Sequence, residues 1–496
     1  MRTRWGSLSS ACTFCIPLLV LGIPAEGQEK KGAAPEKNGP PAEKKGKSEK
    51  PATPATATKA AGNAEPGAKK GGNLEIPAAL PDDARKALET AVEAFRVAEK
   101  AEKNRDKAAA SALSKLKGAQ AKAPDAPVAH FYLAKAHELK RNFTEARKCY
   151  EKALKLNPQF HEAISELAGI HYLDKDKKKA LELYQKALAL EPKYLDALRG
   201  KAWVELALGD ISAAKGSFEA AQKVQLDPDL THVIERLDKD IRGPDWTVAY
   251  TKETENYIIL TQVSQEYADE IGSHAELIRR AYNKVFSNIP KPDRKYKIFV
   301  YANREAYLKG GAPPMSAGYF DQLVRKLVIY RQSPARETLN TLYHEAFHQF
   351  LQDYQEQAPQ WFNEGLGDYF GAYEYVREGK REFMRSRPNA GRLSYVQAAI
   401  EGKKCPPAAE LMVMTQQEMY EPRMIGVHYA QSWAMIYFMI EGGKPVYKTT
   451  LMNYFKALQK GMDRHEAYAA TFGKLDMQKF DSEWKGYAMG LAVKRD

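Results

Sequence analysis

Proline recurs at Pro124, Pro158 and Pro192, 34 residues apart, and again at Pro228. Each of these prolines closes a unit of matching pattern. Residues 127–160 carry Leu133, Ala134, Ala146, Tyr150 and Ala153 before the proline. Residues 161–194 carry Leu167, Ala168, Ala180, Tyr184 and Ala187, and residues 195–228 carry Leu198, Ala202, Ala214, Phe218 and Ala221. Small residues at these positions let two helices approach, and the aromatic ring fills the remaining gap. One such unit cannot bury its own apolar face, so units must stack. A degenerate earlier unit shows in Ala112, Leu116, Ala119 and Pro124. The period predicts an all-α stack over residues 79–235.

This pattern resembles the tetratricopeptide repeat. The resemblance implies a concave face that holds a peptide or protein partner. The other use of such a stack is as a shoulder packed on the next domain.

The segment before the repeats is of a different kind. "MRTRW" is basic, "CIPLLVLGIPA" is a short apolar run, and "AEG" places small residues for cleavage after Gly27. That is the form of an export signal, too short for a comfortable membrane span. Residues 1–27 are therefore expected to be a signal peptide and the mature chain to be periplasmic or extracellular, with no membrane span after cleavage. Residues 28–78 form a linker expected to be disordered, rich in Lys, Pro and Ala without apolar periodicity. Residues 28–72 hold ten lysines against five glutamates, which accounts for much of the net charge of +12. The folded part keeps little excess charge, which argues against nucleic acid as a partner. Beyond the signal only Cys149 and Cys405 remain, in different domains, so both are expected unpaired.

From about residue 245 the pattern changes. "NYIILTQ", "KYKIFVYAN", "AGYFDQ" and "KLVIYRQ" alternate like strands, with a helical stretch over 264–286. After Gln332 the chain reads as largely helical. Strands followed by helices give an α+β domain over 245–496, so the whole chain is classed as α+β with an all-α repeat stack in front.

Within that domain lies "TLYHEAFHQF". Ser333 and Pro334 open the helix as N-cap and first residue. Leu339, Leu342, Tyr343, Ala346, Phe347 and Phe350 give it one apolar face. His344 and His348 sit one turn apart, a spacing at which both rings reach one metal ion, and Glu345 lies beside the first. Two ordinary helix histidines would satisfy the same spacing. "PQWFNEGLGDYF" starts a second helix, with Glu364 sixteen residues past His348 and Asp368 one turn further. Glu364 suits a third ligand and Asp368 a carboxylate that orients a ligand histidine. Gly365 and Gly367 are costly in a helix and are best explained by close approach to the histidine helix.

HEAFH followed by W-F-N-E-G resembles the gluzincin metallopeptidases, the thermolysin and aminopeptidase-N superfamily. The closest likeness is to peptidase-MA-like exported bacterial proteins, including the DUF1570 group. The resemblance covers about residues 245–490. It implies zinc (Zn2+) held by His344, His348 and Glu364, with Glu345 as general base. A donor for the oxyanion is also implied, for which Tyr429, 65 residues past Glu364, or else His428 is the candidate; the alternative is that both pack in a helix core. The aminopeptidase branch carries a glutamate in G-x-M-E-N that grips the substrate's free amine. "MSAGYFDQ" lacks it, which favours an endopeptidase acting on peptide or protein. The competing reading is a non-catalytic exported scaffold with a structural or vestigial metal site.

Overall fold

The computed structural model describes residues 74, 76–101, 104–286, 294–355 and 358–492. The expected signal peptide, and the expected tether up to residue 73, lie outside the described residues.

Three helix pairs follow the 34-residue units. They are α3 (Pro127–Leu139) with α4 (Phe143–Leu156), α5 (His161–Leu173) with α6 (Lys177–Leu190), and α7 (Leu195–Leu208) with α8 (Ile211–Val224). A preceding pair, α1 (Asp82–Lys100) and α2 (Arg105–Lys122), is the degenerate unit, and α9 (Pro228–Arg242) closes the stack. The repeated alanines and Tyr150, Tyr184 and Phe218 are all buried. Asn142, Asp176 and Asp210 cap the second helices of the units by accepting backbone N–H groups.

The turn inside each repeat carries a left-handed residue at the same place: Arg141, Lys175 and Gly209. Two of these side chains bond to the C-terminal half, and the third position faces it. Arg141 Nη2 donates to the carbonyl of Gly461 at 3.0 Å, and Lys175 Nζ to that of Tyr354 at 3.3 Å. A Cβ on Gly209 would lie 3.7 Å from Arg294 Cδ. Further along, Arg236 pairs with Asp321 and Asp240 with Lys326. Leu323 and Val324 join the apolar cluster around Phe218 and Leu230. The stack is therefore fastened to the α+β part by the edge that bears its turns.

A five-stranded sheet heads the α+β part, in the order β1 (Tyr250–Glu253), β2 (Tyr257–Thr261), β3 (Tyr296–Tyr301), β5 (Lys326–Tyr330) and β4 (Gly318–Asp321). The β2–β3 and β3–β5 pairs are parallel and the outer pairs antiparallel. "LVRK" forms the turn between β4 and β5, where Arg325 is left-handed. α10 (Gln265–Val285) and α11 (Arg304–Lys309) fill the crossovers.

The region after Gln332 is not uniformly helical. A hairpin, β6 (Glu374–Glu378) and β7 (Arg381–Arg385), interrupts it. Gly379 turns this hairpin at a φ of 61°. Around it run α12 (Ala335–Tyr354), α13 (Gln360–Gly371), α14 (Ala390–Glu401), α15 (Ala408–Leu411), α16 (Gln416–Met419), α17 (Ile425–Glu441), α18 (Pro445–Gln459), α19 (Arg464–Ala470) and α20 (Met477–Gly490).

Two details of α12 differ from expectation. Its cap is Pro334, in extended backbone, whose carbonyl accepts the N–H of Glu337, so the helix starts at Ala335 rather than at the proline. It also has two buried sides rather than one. Gln349 donates to the carbonyls of Arg325 (3.0 Å) and Lys297 (3.3 Å) on the sheet side, while Phe347 stacks with Phe370 of α13 on the other. Cys149 and Cys405 are unpaired, as expected, and burial pushes both thiols up to about 11. Among the described residues no helix is long and apolar enough to cross a membrane.

Candidate metal centre

α12 lies between the edge strand β4 and α13, and the centre forms where the three meet. His344 and His348 project toward α13 with their ring centroids 4.7 Å apart. From α13, Glu364 brings its Oε2 to 3.6 Å from His344 Nε2 and 3.7 Å from His348 Nε2. All three atoms are buried and take no hydrogen bond. A buried polar atom without a partner costs about 1–3 kcal/mol, so three facing one another mark a place for a ligand. Donors around a tetrahedral zinc at about 2.1 Å stand roughly 3.4 Å apart. Glu364 Oε2 stands close to that distance from both imidazole nitrogens, so the residues present fit such an ion.

The other ring nitrogens are engaged. His348 Nδ1 donates to Asn363 Oδ1 at 2.9 Å, and His344 Nδ1 lies 3.4 Å from Asp368 Oδ1. Each contact takes up Nδ1 and leaves Nε2 as the nitrogen that faces Glu364. Asp368 lies beside Nδ1 of His344. Asn363 does the same for His348 and was not singled out, although it stands inside the quoted N-E-G.

Glu345 also brings a carboxylate oxygen within 4.8 Å of both rings. Its side chain, however, leans on the sheet. The backbone N–H of Phe320 in β4 donates to it, and a Cβ on Gly318 would come within 3.3 Å of its Cγ. Oε2 of Glu345 remains buried without a partner. The two carboxyls of the centre are pushed apart in acidity. Burial raises Glu345 against the pull of the two histidines. Burial would raise Glu364 as well, but His348 and His344 outweigh it and hold Glu364 below the usual range. Burial works against a charge on His344, yet the Asp368 and Glu364 carboxylates lift it to about 10.

Gly367 and Gly365 divide their work. A Cβ on Gly367 would meet His344 Cε1 at 2.9 Å and His348 Cε1 at 3.1 Å, which is the expected approach to the histidine helix. Gly365 faces the opposite way. Its Cβ would meet the carbonyl oxygen of Ser432 in α17 at 2.8 Å, so its partner helix is not the one expected.

Tyr429 lies in the wall of the centre, 4% exposed, with the guanidinium carbon of Arg392 over its ring, 5.1 Å from the centroid. Its hydroxyl bonds to Tyr420, whose own hydroxyl is 3.1 Å from Gln360 Oε1 and 3.4 Å from Glu364 Oε1. Burial, then the nearby Glu364, raises both phenols far above their ordinary range. His428 points elsewhere, with Nδ1 donating to the Met419 carbonyl at 3.0 Å. Tyr420 and Arg392 are site residues that no local pattern in the sequence marks.

The fold and the site together define a tetratricopeptide-type stack joined to an α+β domain with a histidine–carboxylate centre. Residues 127–160 match the tetratricopeptide repeat family, and residues 338–460 match the family described as "Protein of unknown function (DUF1570)". The chain thus carries tetratricopeptide repeats and a DUF1570 domain, and the latter match runs from the histidine helix past Tyr429. No curated protein matches the chain. Among solved structures it is similar to MamA 41-end from Desulfovibrio magneticus RS-1, at 15% identity over 33% of this chain and 88% of that one, with a TM-score of 0.29. It is also similar to the N-terminal domain of stress-induced protein-1 (STI-1) from C. elegans, at 19% identity over 23% and 94%, with a TM-score of 0.21. A third is the first TPR of Spaghetti (RPAP3) bound to an HSP90 peptide, at 17% identity over 24% and 94%, with a TM-score of 0.23.

Proposed function

We propose that this chain is an exported zinc-dependent peptidase of the gluzincin type, whose repeats hold a protein substrate or partner. The observation that carries the reading is the convergence of three partnerless buried donors, His344 Nε2, His348 Nε2 and Glu364 Oε2, beside the free oxygen of Glu345. Zinc held there supplies Lewis acidity, drawing the pKa of a water toward neutrality and polarising a carbonyl. Glu345 keeps one side of its carboxylate on the Phe320 N–H and accepts the water's proton at Oε2. It then returns that proton to the leaving amine. Asp368 and Asn363 keep the two imidazoles turned. Tyr429, in line with Tyr420, donates to the oxygen that gains charge as the carbonyl is attacked. Export rests on the signal-like residues 1–27, and endopeptidase action on the missing amine-binding glutamate.

The second reading is a protein-binding scaffold with a structural metal, and the repeats favour it equally well. Glu345 favours the enzyme, because a structural site closes its coordination with Cys or His and has no use for an unligated buried carboxylate. Metal analysis of the purified full chain beside His348→Ala tests the proposal. About one zinc per chain, lost in the variant, is the expected result. A folded wild type that takes up no supplied zinc ends the peptidase reading and leaves the scaffold.

A further inference from the structure

The two ligand histidines are held by unlike groups. His348 has a neutral amide, Asn363, behind it, whereas His344 has the carboxylate of Asp368. The Asp368 side chain is 7% exposed. A carboxylate so far from water needs a permanent opposite charge beside it, or its geometry toward His344 is not maintained.

Arg392 supplies that charge. Its Nε donates to Asp368 Oδ2 at 2.6 Å and its Nη2 to Oδ1 at 3.4 Å, so both oxygens are gripped from one edge of the guanidinium. The central carbon of the same group lies over the ring of Tyr429, 5.1 Å from its centroid. An arginine is the side chain whose planar fork can serve a carboxylate with its edge and an aromatic ring with its face. Its backbone is fixed as well: Arg392 stands in the first turn of α14, and its N–H donates to the capping oxygen of Asn389 at 3.1 Å.

We propose that Arg392 is a positioning residue for the metal centre, fixing His344 through Asp368 while its guanidinium holds Tyr429 in the wall of the site. The inference rests on the zinc reading above. It assigns to α14, an element without a metal ligand, the task of setting the direction of one ligand's lone pair. Arg392 touches neither of the ligand histidines in its hydrogen bonds to Asp368, so its influence passes through that carboxylate.

The test is zinc affinity of the full chain by competition with a chelator, for wild type, Arg392→Gln and Arg392→Lys. Melting of each is followed with and without zinc, and the absorption of the cobalt-substituted proteins is recorded. Arg392→Gln is expected to weaken zinc about 10- to 100-fold. Arg392→Lys, which keeps the charge and loses the fork, is expected to recover only part of this, with an altered cobalt spectrum. A lower melting temperature with wild-type zinc affinity would show a merely structural arginine and overturn the inference. If Arg392→Gln does not fold, a folded Arg392→Lys with wild-type affinity and spectrum overturns it too. A wild type that binds no zinc removes the zinc reading and this inference with it, whereas tight wild-type binding with unaffected variants removes this inference alone.

Discussion

Gly367 lies directly against His344, with room for a hydrogen but not for a methyl group: a Cβ there would be 3.1 Å from Nε2 of that ring. Gly365, two residues earlier, presses on the backbone of Ser432 in α17. Alanine at the two positions should therefore fail differently. Gly367→Ala is expected to weaken zinc about tenfold or more, since its Cβ displaces an imidazole. Gly365→Ala is expected to lower stability by about 1–3 kcal/mol through overpacking, with zinc affinity kept. Zinc titration and thermal melting of the same samples separate the two, and equal effects on both readouts would refute the division.

Glu345→Gln keeps the size of the side chain and removes the proton acceptor. Zinc content is expected to stay at the wild-type level while turnover of a peptide substrate falls about 10²- to 10⁴-fold. A variant that hydrolyses at the wild-type rate would remove Glu345 from the chemistry.

Lys326 and Asp240 join β5 to the last helix of the stack, 14% and 4% exposed at their side chains. Lys326 also lies 4.7 Å from the ring centroid of Phe299. Removing only the carboxylate strands a mostly buried ammonium. Asp240→Ala is expected to cost about 3 kcal/mol, and replacing both residues with apolar ones to cost less. Chemical denaturation of the single and double variants measures this, and a double variant as weak as Asp240→Ala would contradict it.

Asp196, near the start of α7, has its pKa raised to about 6 by burial and by Glu166, against the pull of Lys135 and Arg199. Its hydroxyl neighbour is Tyr194, at 3.4 Å. A carboxyl whose folded pKa exceeds its unfolded value gives its full contribution below the unfolded value near 4. That contribution is lost as the pH rises through 6. Asp196→Asn should therefore gain stability over wild type at pH 7, on the order of 1–3 kcal/mol, and little at pH 4. Melting of both proteins across that range checks the sign, and a gap that is constant with pH would refute the assignment.

The repeats were legible because each unit writes the same contacts into the same positions, so three copies average out the noise of any one. The histidine pair, Glu364 and Asp368 were legible because helix geometry converts spacings of four residues into a shared face. Arg392 and Tyr420 were not, because they reach the site from α14 and from the end of α16, where only the tertiary packing decides what they touch. Strand β1 was missed for its short, polar composition. The β6–β7 hairpin carries a usable turn signal, Glu378-Gly379-Lys380, but its strands, EYVRE and REFMR, are rich in charge and lack an apolar alternation. Gly365 was assigned to the wrong neighbour since sequence shows that a helix comes close to something, not to what.

Arg141 and Lys175 give two successive repeats each a foothold along the neighbouring domain, with Lys175 resting on the end of the histidine helix itself. Free solenoids can lengthen or shorten by whole units without harm. Here the footholds act as teeth on a rack: inserting or deleting one unit would move every later tooth out of its notch. The number of repeats is thereby tied to the length of the domain they grip, and the tally of units becomes part of what the sequence must preserve.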